Sequence, residues 1–362
     1  MNSIKAIAFA AATAAMTSTS ALAAEDRLKV LYSTDHVING VTGTPDGRLF
    51  LPVQQQQAGV GPQLIEVKDG KAIPYPDESW NDLQDGQDAA GGFVGVNAAR
   101  IGPDGALWVV DRGAPGIGKP RVDKGPKLVR IDVDTNSVSR VFSLQTTTSP
   151  WSFVDDVRFN GRHAYLTDAG DPGLIVLDLE TGKSWRALHG HPSTIAQTPL
   201  MAEGKAVRDP AGKAVNLHAD HLEVSPDGRW FYYQPANGQL AHIETRLLDD
   251  PDVSEAKRAD AVTAFAATPS TGGTAMSADG TIYLSDTDRS AILSISPGGE
   301  IDTVIADPRL AWVDAMWIDE QGRLLLPASQ LSRTAGLNSG ENAIKPPIRL
   351  YALDINAKPL RR

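Results

Sequence analysis

Five acids and amides occupy matching places along this 362-residue chain, and their spacing points to one polar belt rather than to scattered surface charge. Counting eight residues back from the glycine of a recurring turn lands on Asn39, Asn97, Asp220 and Asp314, with Gly272 at the same place in another copy. One copy has a shorter turn, and a count of six there gives Asp155. Oxygen donors held at a common depth suit a hard cation such as calcium, with Asn97, Asp155 and Asp220 as the expected ligands. They equally suit a small organic ligand, hydrogen bonded by Asn39, Asn97, Asp155 and Asp314 and stacked on Phe153 and Trp312. His218 lies two residues before Asp220, on the same side of an extended strand, so the two form a candidate catalytic pair able to move a proton, while His221 is expected to face away. The plainer reading of the same residues is a hydrated channel wall with structural hydrogen bonds at its rim. The His189-Gly190-His191 step lacks a third metal partner, and a chain with no cysteine has neither a thiol nucleophile nor a disulfide.

The elements that must hold these residues repeat six times. A polar turn followed by an apolar strand recurs with its glycine at 47, 105, 161, 228, 280 and 322. Asp-Gly, Asn-Gly or a lone Gly at each turn supplies the positive φ that a hairpin needs. An apolar stretch precedes each turn, as in Val94 to Ile101 or Leu217 to Val224, and a third strand follows, as in Lys127 to Ile131 or Ala291 to Ile295. This repeat predicts an all-β, six-bladed β-propeller of four-stranded antiparallel blades. The chain stops soon after the third strand of the last unit, and Leu28 to Tyr32 is expected to return as its outer strand and close the ring.

In such a ring the first strand of each blade lines the central channel. Strict alternation then puts Val37, Gly95, Phe153, His218, Ser270 and Trp312 one step above the polar belt, and Val41, Ala99, Val157, Leu222, Thr274 and Met316 one step below it. The long connections, among them 112–126, 189–216 and 329–347, all emerge at the end opposite the turns, and lengthened loops around one mouth mark the working face. Asp111, Asp168 and Asp286 are expected to anchor loops by accepting backbone N–H groups.

The chain resembles the major royal jelly protein and yellow family. The resemblance rests on Asn97 with Leu107 to Gly113, on Ala164 to Asp178, on Ala219 to Gly228 with Tyr232-Tyr233, and on Gly280 to Asp286. It implies a secreted six-bladed propeller that binds small amines, sterols or similar ligands in its channel, with dopachrome conversion ascribed to some relatives; it transfers no catalytic residue. A more distant similarity is to gluconolactonase-type propellers, where a Glu, two Asn and an Asp on inner strands hold a divalent ion. Asn39, Asn97, Asp155 and Asp220 match those levels, with Asn39 in place of the glutamate.

Composition narrows the alternatives. A net charge of -10 repels a phosphate backbone, so nucleic acid is not an expected partner. Residues 1–23 read as a signal peptide, with Lys5, an apolar stretch and Ala21-Leu22-Ala23, leaving 24–362 as a single propeller domain with no membrane span, in a periplasm or outside the cell. Three functions compete for that domain: a small-molecule binder that also converts its ligand or does not, a calcium-dependent lactonase-like hydrolase, and a protein-interaction scaffold.

Overall fold

All six turn glycines take a positive φ, from 57° at Gly161 to 95° at Gly47, so each hairpin bends where the repeat places it. The computed structural model describes residues 27–55, 61–84, 86–116 and 118–361; the expected signal peptide at 1–23 lies outside them. Each turn joins strands A and B of a four-stranded antiparallel sheet, and six such sheets follow one another along the chain. Blade 1 pairs Thr42–Gly43, Leu49–Pro52, Leu64–Lys68 and Lys71–Pro74; blade 2 pairs Val96–Ile101, Leu107–Asp111, Lys127–Asp132 and Ser137–Ser143. Blade 3 runs Val154–Asn160, His163–Asp168, Gly173–Asp178 and Ser184–Ala187, and blade 4 runs Ala219–Val224, Trp230–Pro235, Gln239–Glu244 and Thr263–Ala267. Blade 5 comprises Thr274–Met276, Ile282–Asp286, Ala291–Ile295 and Ile301–Ala306.

Blade 6 takes Trp317–Ile318, Arg323–Ala328 and Ile348–Asp354 from the end of the chain and Leu28–Thr34 from its beginning. The closing pair is antiparallel, from Leu28 opposite Leu353 to Thr34 opposite Ile348. Leu28 packs with Ile292, Tyr351 and Leu353, and Tyr32 with Ile348 and Leu350, so closure covers apolar surface as well as a sheet edge.

Apolar side chains fill the spaces between blades. Trp108 of blade 2, stacked on Phe142 of its own blade, meets Phe159 from blade 3, and Tyr165 from blade 3 meets Phe231 of blade 4, which stacks on Tyr233. Polar links then tie each blade to the next. Asn39 Nδ2 donates to Asn97 O at 2.9 Å, Asn97 Nδ2 to Asp155 O at 3.1 Å, and Thr167 Oγ1 to Asp220 O at 2.5 Å. His221 Nε2 lies 2.9 Å from Thr271 O, Ser285 Oγ donates to Val313 O at 2.7 Å, and Val41 N donates to Ala315 O at 3.0 Å.

The inner strands are less regular than simple alternation requires. Strands A of blades 2, 3 and 4 shift register between Val96 and Ala98, Val154 and Val157, and Ala219 and His221. In blades 1, 5 and 6 regular pairing is confined to the turn end. A bulge adds a residue to one strand and inverts the facing of everything beyond it. The expected layer below the polar belt is therefore wrong: Ala99, Val157, Leu222 and Met316 pack between blades, and their neighbours Arg100, Asp156, Arg158 and Glu223 take the inner positions.

Candidate functional site

The three bulges fall at Asn97, at Asp155 and Asp156, and at Asp220, where an ordinary pleat would send successive side chains to opposite faces. Two buried aspartates hold the backbone just before them. Asp111 accepts from the N–H groups of Val94, Gly95 and Gly113 and from Lys127 Nζ at 2.6 Å. Asp168 accepts from the N–H groups of Phe153, Gly170 and Asp171 and from Arg186. Asp286 does the same for Asp288 and Arg289 in blade 5, so all three act as the loop anchors their positions suggest.

At the upper end of the channel these strands enclose a cavity of about 40 Å³. Asn39, Asn97, Asp155, Asp220 and Asp314 line it, and Phe153, Trp312, Leu217, Leu331 and Leu337 form its apolar part. Seven of the eight residues singled out from sequence therefore meet in one place, one or more from every blade except the fifth. Blade 5 approaches with backbone instead: a Cβ on Gly273 would stand 2.3 Å from the carbonyl of Asp314. Trp312 is buried and holds a left-handed backbone with φ 48°, a costly conformation for a bulky residue. Ser329 secures it, donating to the Trp312 carbonyl from both N and Oγ, and the indole donates to Asp314 Oδ2 at 3.1 Å.

His218 is the exception. Its ring Nδ1 accepts the N–H of Ala196 at 3.0 Å, it does not line the cavity, and the bulge at Asp220 lies between the two. The expected pairing of His218 with Asp220 gives way to one with His221, whose Nδ1 is 3.2 Å from Asp220 Oδ1. With Nε2–H donated to Thr271 O, a neutral His221 presents Nδ1 as an acceptor, and a proton on Asp220 completes the contact.

Electrostatics favour that proton. Burial, with the negative charge of Asp156 adding to it, pushes Asp220 up to about 8, while contact with Asp155 acts in the opposite direction. Burial raises Asp155 well above the usual carboxylate range, helped by Asp220, Asp156 and Asp314 and by a hydrogen bond shared with Asp220. Asp314 is raised by burial against the opposing pull of the Ala315 N–H and the Trp312 indole. Burial lowers His221 to about 4, which keeps the ring neutral. Like charges this close do not all ionise, so the acids hold at least one proton among them at neutral pH.

Sequence reasoning missed Arg112. It is 2 % exposed, lies over the Phe153 ring at 5.0 Å, and reaches Asn97 Oδ1 and Gln54 Oε1 at 3.4 Å each. Burial lowers it to about 10, so it stays cationic behind the amide side of the cavity. This bears on calcium. The oxygen donors of Asn97, Asp155 and Asp220 have the right chemistry, but the Asn97 oxygen faces the Arg112 guanidinium and Asn39 Nδ2. Among the described residues no three acidic or histidine side chains converge as a metal centre. The Asn97 oxygen is thus engaged by two donors, and the carboxylates of Asp155 and Asp220 share a proton.

A second charged layer lies beneath. Arg158 makes a double contact with Glu223 at 2.8 and 3.0 Å and meets Asp156 at 2.6 Å. Arg100 reaches Asp156 at 3.3 Å and Met316 O at 3.1 Å, and Thr274 Oγ1 donates to Glu223 at 2.9 Å. These contacts join the inner segments of blades 2 to 6 below the site. Charged residues two apart in otherwise apolar strands were the available signal.

A model of the family described as major royal jelly protein matches residues 94–354. None of the curated proteins matches the chain. Solved structures with the same fold include a gluconolactonase from Xanthomonas campestris, 13% identical over 90% of this chain and 89% of that one, at a TM-score of 0.54. A virginiamycin B lyase from Staphylococcus aureus is 14% identical over 83% of this chain and 80% of that one, at a TM-score of 0.51. A luciferin-regenerating enzyme is 11% identical over 92% of this chain and 97% of that one, at a TM-score of 0.56.

Proposed function

The chain belongs to the major royal jelly protein family, and from that premise we propose that the upper channel binds a small organic molecule and moves a proton on it, with Asp155 and Asp220 as the proton-sharing pair. The observation that carries this reading is the contact between these two acids in a cavity roofed by Phe153, Trp312 and three leucines, with Asp220 raised to about 8. A carboxylic acid that keeps its proton near neutrality donates it to a carbonyl or hydroxyl oxygen, and the carboxylate left behind accepts one from carbon or water. Tautomerisation and lactone opening both need that exchange.

Size shapes the ligand. A cavity of about 40 Å³ takes a single polar group or a few waters. Leu337 also lines a groove of about 690 Å³ with Arg208, Lys205 and Lys345 on its walls, together with Arg333 and the Glu203 it pairs with. We read the ligand as a molecule whose reacting group enters the cavity while its polar or anionic body lies in this groove, displacing Leu337. The solved neighbours named as a gluconolactonase and a lyase speak, at this identity, for the fold alone.

A thermal-shift series with glucono-1,5-lactone, tyramine and phenylpyruvate tests the site, run with and without calcium and with a chelator. Stabilisation by one of them should be lost in Asp220→Asn and unchanged by the chelator. Stabilisation that survives both Asp155→Asn and Asp220→Asn overturns the placement, and stabilisation that requires calcium restores the hydrolase reading. The scaffold function and the expected export are not needed by this proposal.

A further inference from the structure

We propose that the groove beside Leu337 is an oxyanion subsite, so that the ligand of the axial cavity is an acid, with a carboxylate or a similar oxyanion on its body. This rests on the reading of Asp155 and Asp220 given above. Lys205, Arg208, Arg333 and Lys345 line the groove against one carboxylate, Glu203, and its other polar lining residues, Ser332, Asn338 and Ser339, are uncharged. That concentration of positive charge stands in a chain of net charge -10. A concave wall of one sign raises the local concentration of the opposite ion, and an ammonium in the same place would meet four cations and an acid already paired.

The backbone places these charges. Met201–Ala202 and Lys205–Ala206 form a short antiparallel hairpin with Lys205 opposite Ala202. Paired residues share a face and alternate ones return to it, so Lys205 stands on the side where Ala202 and Val207 cluster with Leu337. Arg333 and Lys345 come from the connection that carries Leu337 itself. Arg333 donates through Nε to Glu203 Oε2 and through Nη1 to Gln330 Oε1, at 2.9 Å each. Hydrogen bonds from Arg333 hold Glu203 below the usual carboxylate range and the charge of Lys345 adds to that pull, so the ammonium lies within electrostatic reach of the same carboxylate. Among the described residues no ion pair holds Lys205, Arg208 or Lys345. Arg208 gives one N–H to Gly212 O at 2.8 Å, and Asp209 beside it accepts from Ala211 and Lys213 within its own turn. The fork of Arg333 suits a ligand carboxylate as well as it suits Glu203, which therefore stands where the ligand's own oxyanion would compete.

Inorganic phosphate titrated into the full chain, followed by phosphorus NMR at constant ionic strength balanced with chloride, reads the groove by itself. Phosphate should bind saturably, and about tenfold more weakly once Lys205→Gln and Lys345→Gln are combined; both lysines are exposed, so the fold is not at risk. Glu203→Gln, which removes the competing carboxylate, should tighten binding, and Asp220→Asn should leave it unchanged. Phenylpyruvate and phenylacetone, which differ by a carboxylate in place of a methyl group, read the whole ligand. The acid should bind about tenfold more tightly, and its advantage should vanish in the double lysine variant. Phosphate that does not saturate or is indifferent to the lysine substitutions, or phenylpyruvate that binds no better than phenylacetone, overturns the subsite. Phenylpyruvate binding that needs the lysines yet survives both Asp155→Asn and Asp220→Asn keeps the subsite and overturns the axial reading instead.

Discussion

Asp220 touches another acid on one side and a neutral imidazole on the other, and this sets how the folded protein responds to pH. An acid raised from 3.8 to about 8 keeps its proton in the folded chain while the unfolded chain loses it, so the stability it contributes is complete below about 4 and is lost as pH rises towards 8. Asp155 and Asp314, also raised, act with the same sign. His221, lowered from 6.5 to about 4, acts in the opposite sense: its contribution is complete above 6.5 and is lost as pH falls towards 4. The two effects offset each other between 4 and 6.5, so the clear window is 6.5 to 8, where thermal stability should fall. Asp220→Asn should flatten that fall, and melting curves at pH 6.5, 7.25 and 8 check it; an equally steep decline in the variant removes Asp220 as its source. Arg112→Met, which takes away the charge behind Asn97, should make the acids easier to protonate and move any pH-dependent ligand binding to higher pH.

At the scale of elements, the sequence is most transparent where the chain turns and least where it bulges. Asp46-Gly47, Asp104-Gly105 and their counterparts announce hairpins by local chemistry alone, and each was found where expected. The register shifts at Asn97, Asp155 and Asp220 leave no such mark, because a bulge is stabilised by the strand beside it. Strict alternation therefore paired His218 with Asp220 and sent Val157 and Leu222 to the axis, when Arg158 and Glu223 belong there. The charged layer is testable on its own: Arg158→Met takes from the buried Glu223 its guanidinium partner and leaves Asp156 with Arg100 alone, and should cost about 3–5 kcal/mol, read from denaturant midpoints. A loss below about 1 kcal/mol would show the layer to be well hydrated.

The whole ring depends on its closing strand. Removing residues 27–32 exposes the edge of Ile348–Asp354 and returns Leu28 and Tyr32 to water, about 3–6 kcal/mol from those two side chains. The melting temperature should drop in a single cooperative step, and an unchanged melt would mean that the ring holds without closure. Leu337 is where two scales meet, since it separates the axial cavity from the larger groove. Leu337→Ala should open that wall and strengthen binding of any ligand that spans both, whereas Leu337→Trp should block it, as titrations with the wild type for comparison would reveal.

Six turns, their spacing and the early strand that completes the last blade were legible in the sequence, because hairpin chemistry is local and a repeated sheet must close or expose an edge. The meeting of Asn39, Asn97, Asp155, Asp220 and Asp314 was legible for the same reason: equal distances from equivalent turns reach an equal depth. Which imidazole meets Asp220, where Arg112 lies, and how small the axial cavity is were decided by tertiary structure alone. Each depends on side chains from different blades competing for the same space around one axis, and no stretch of sequence within a single blade records the outcome of that competition.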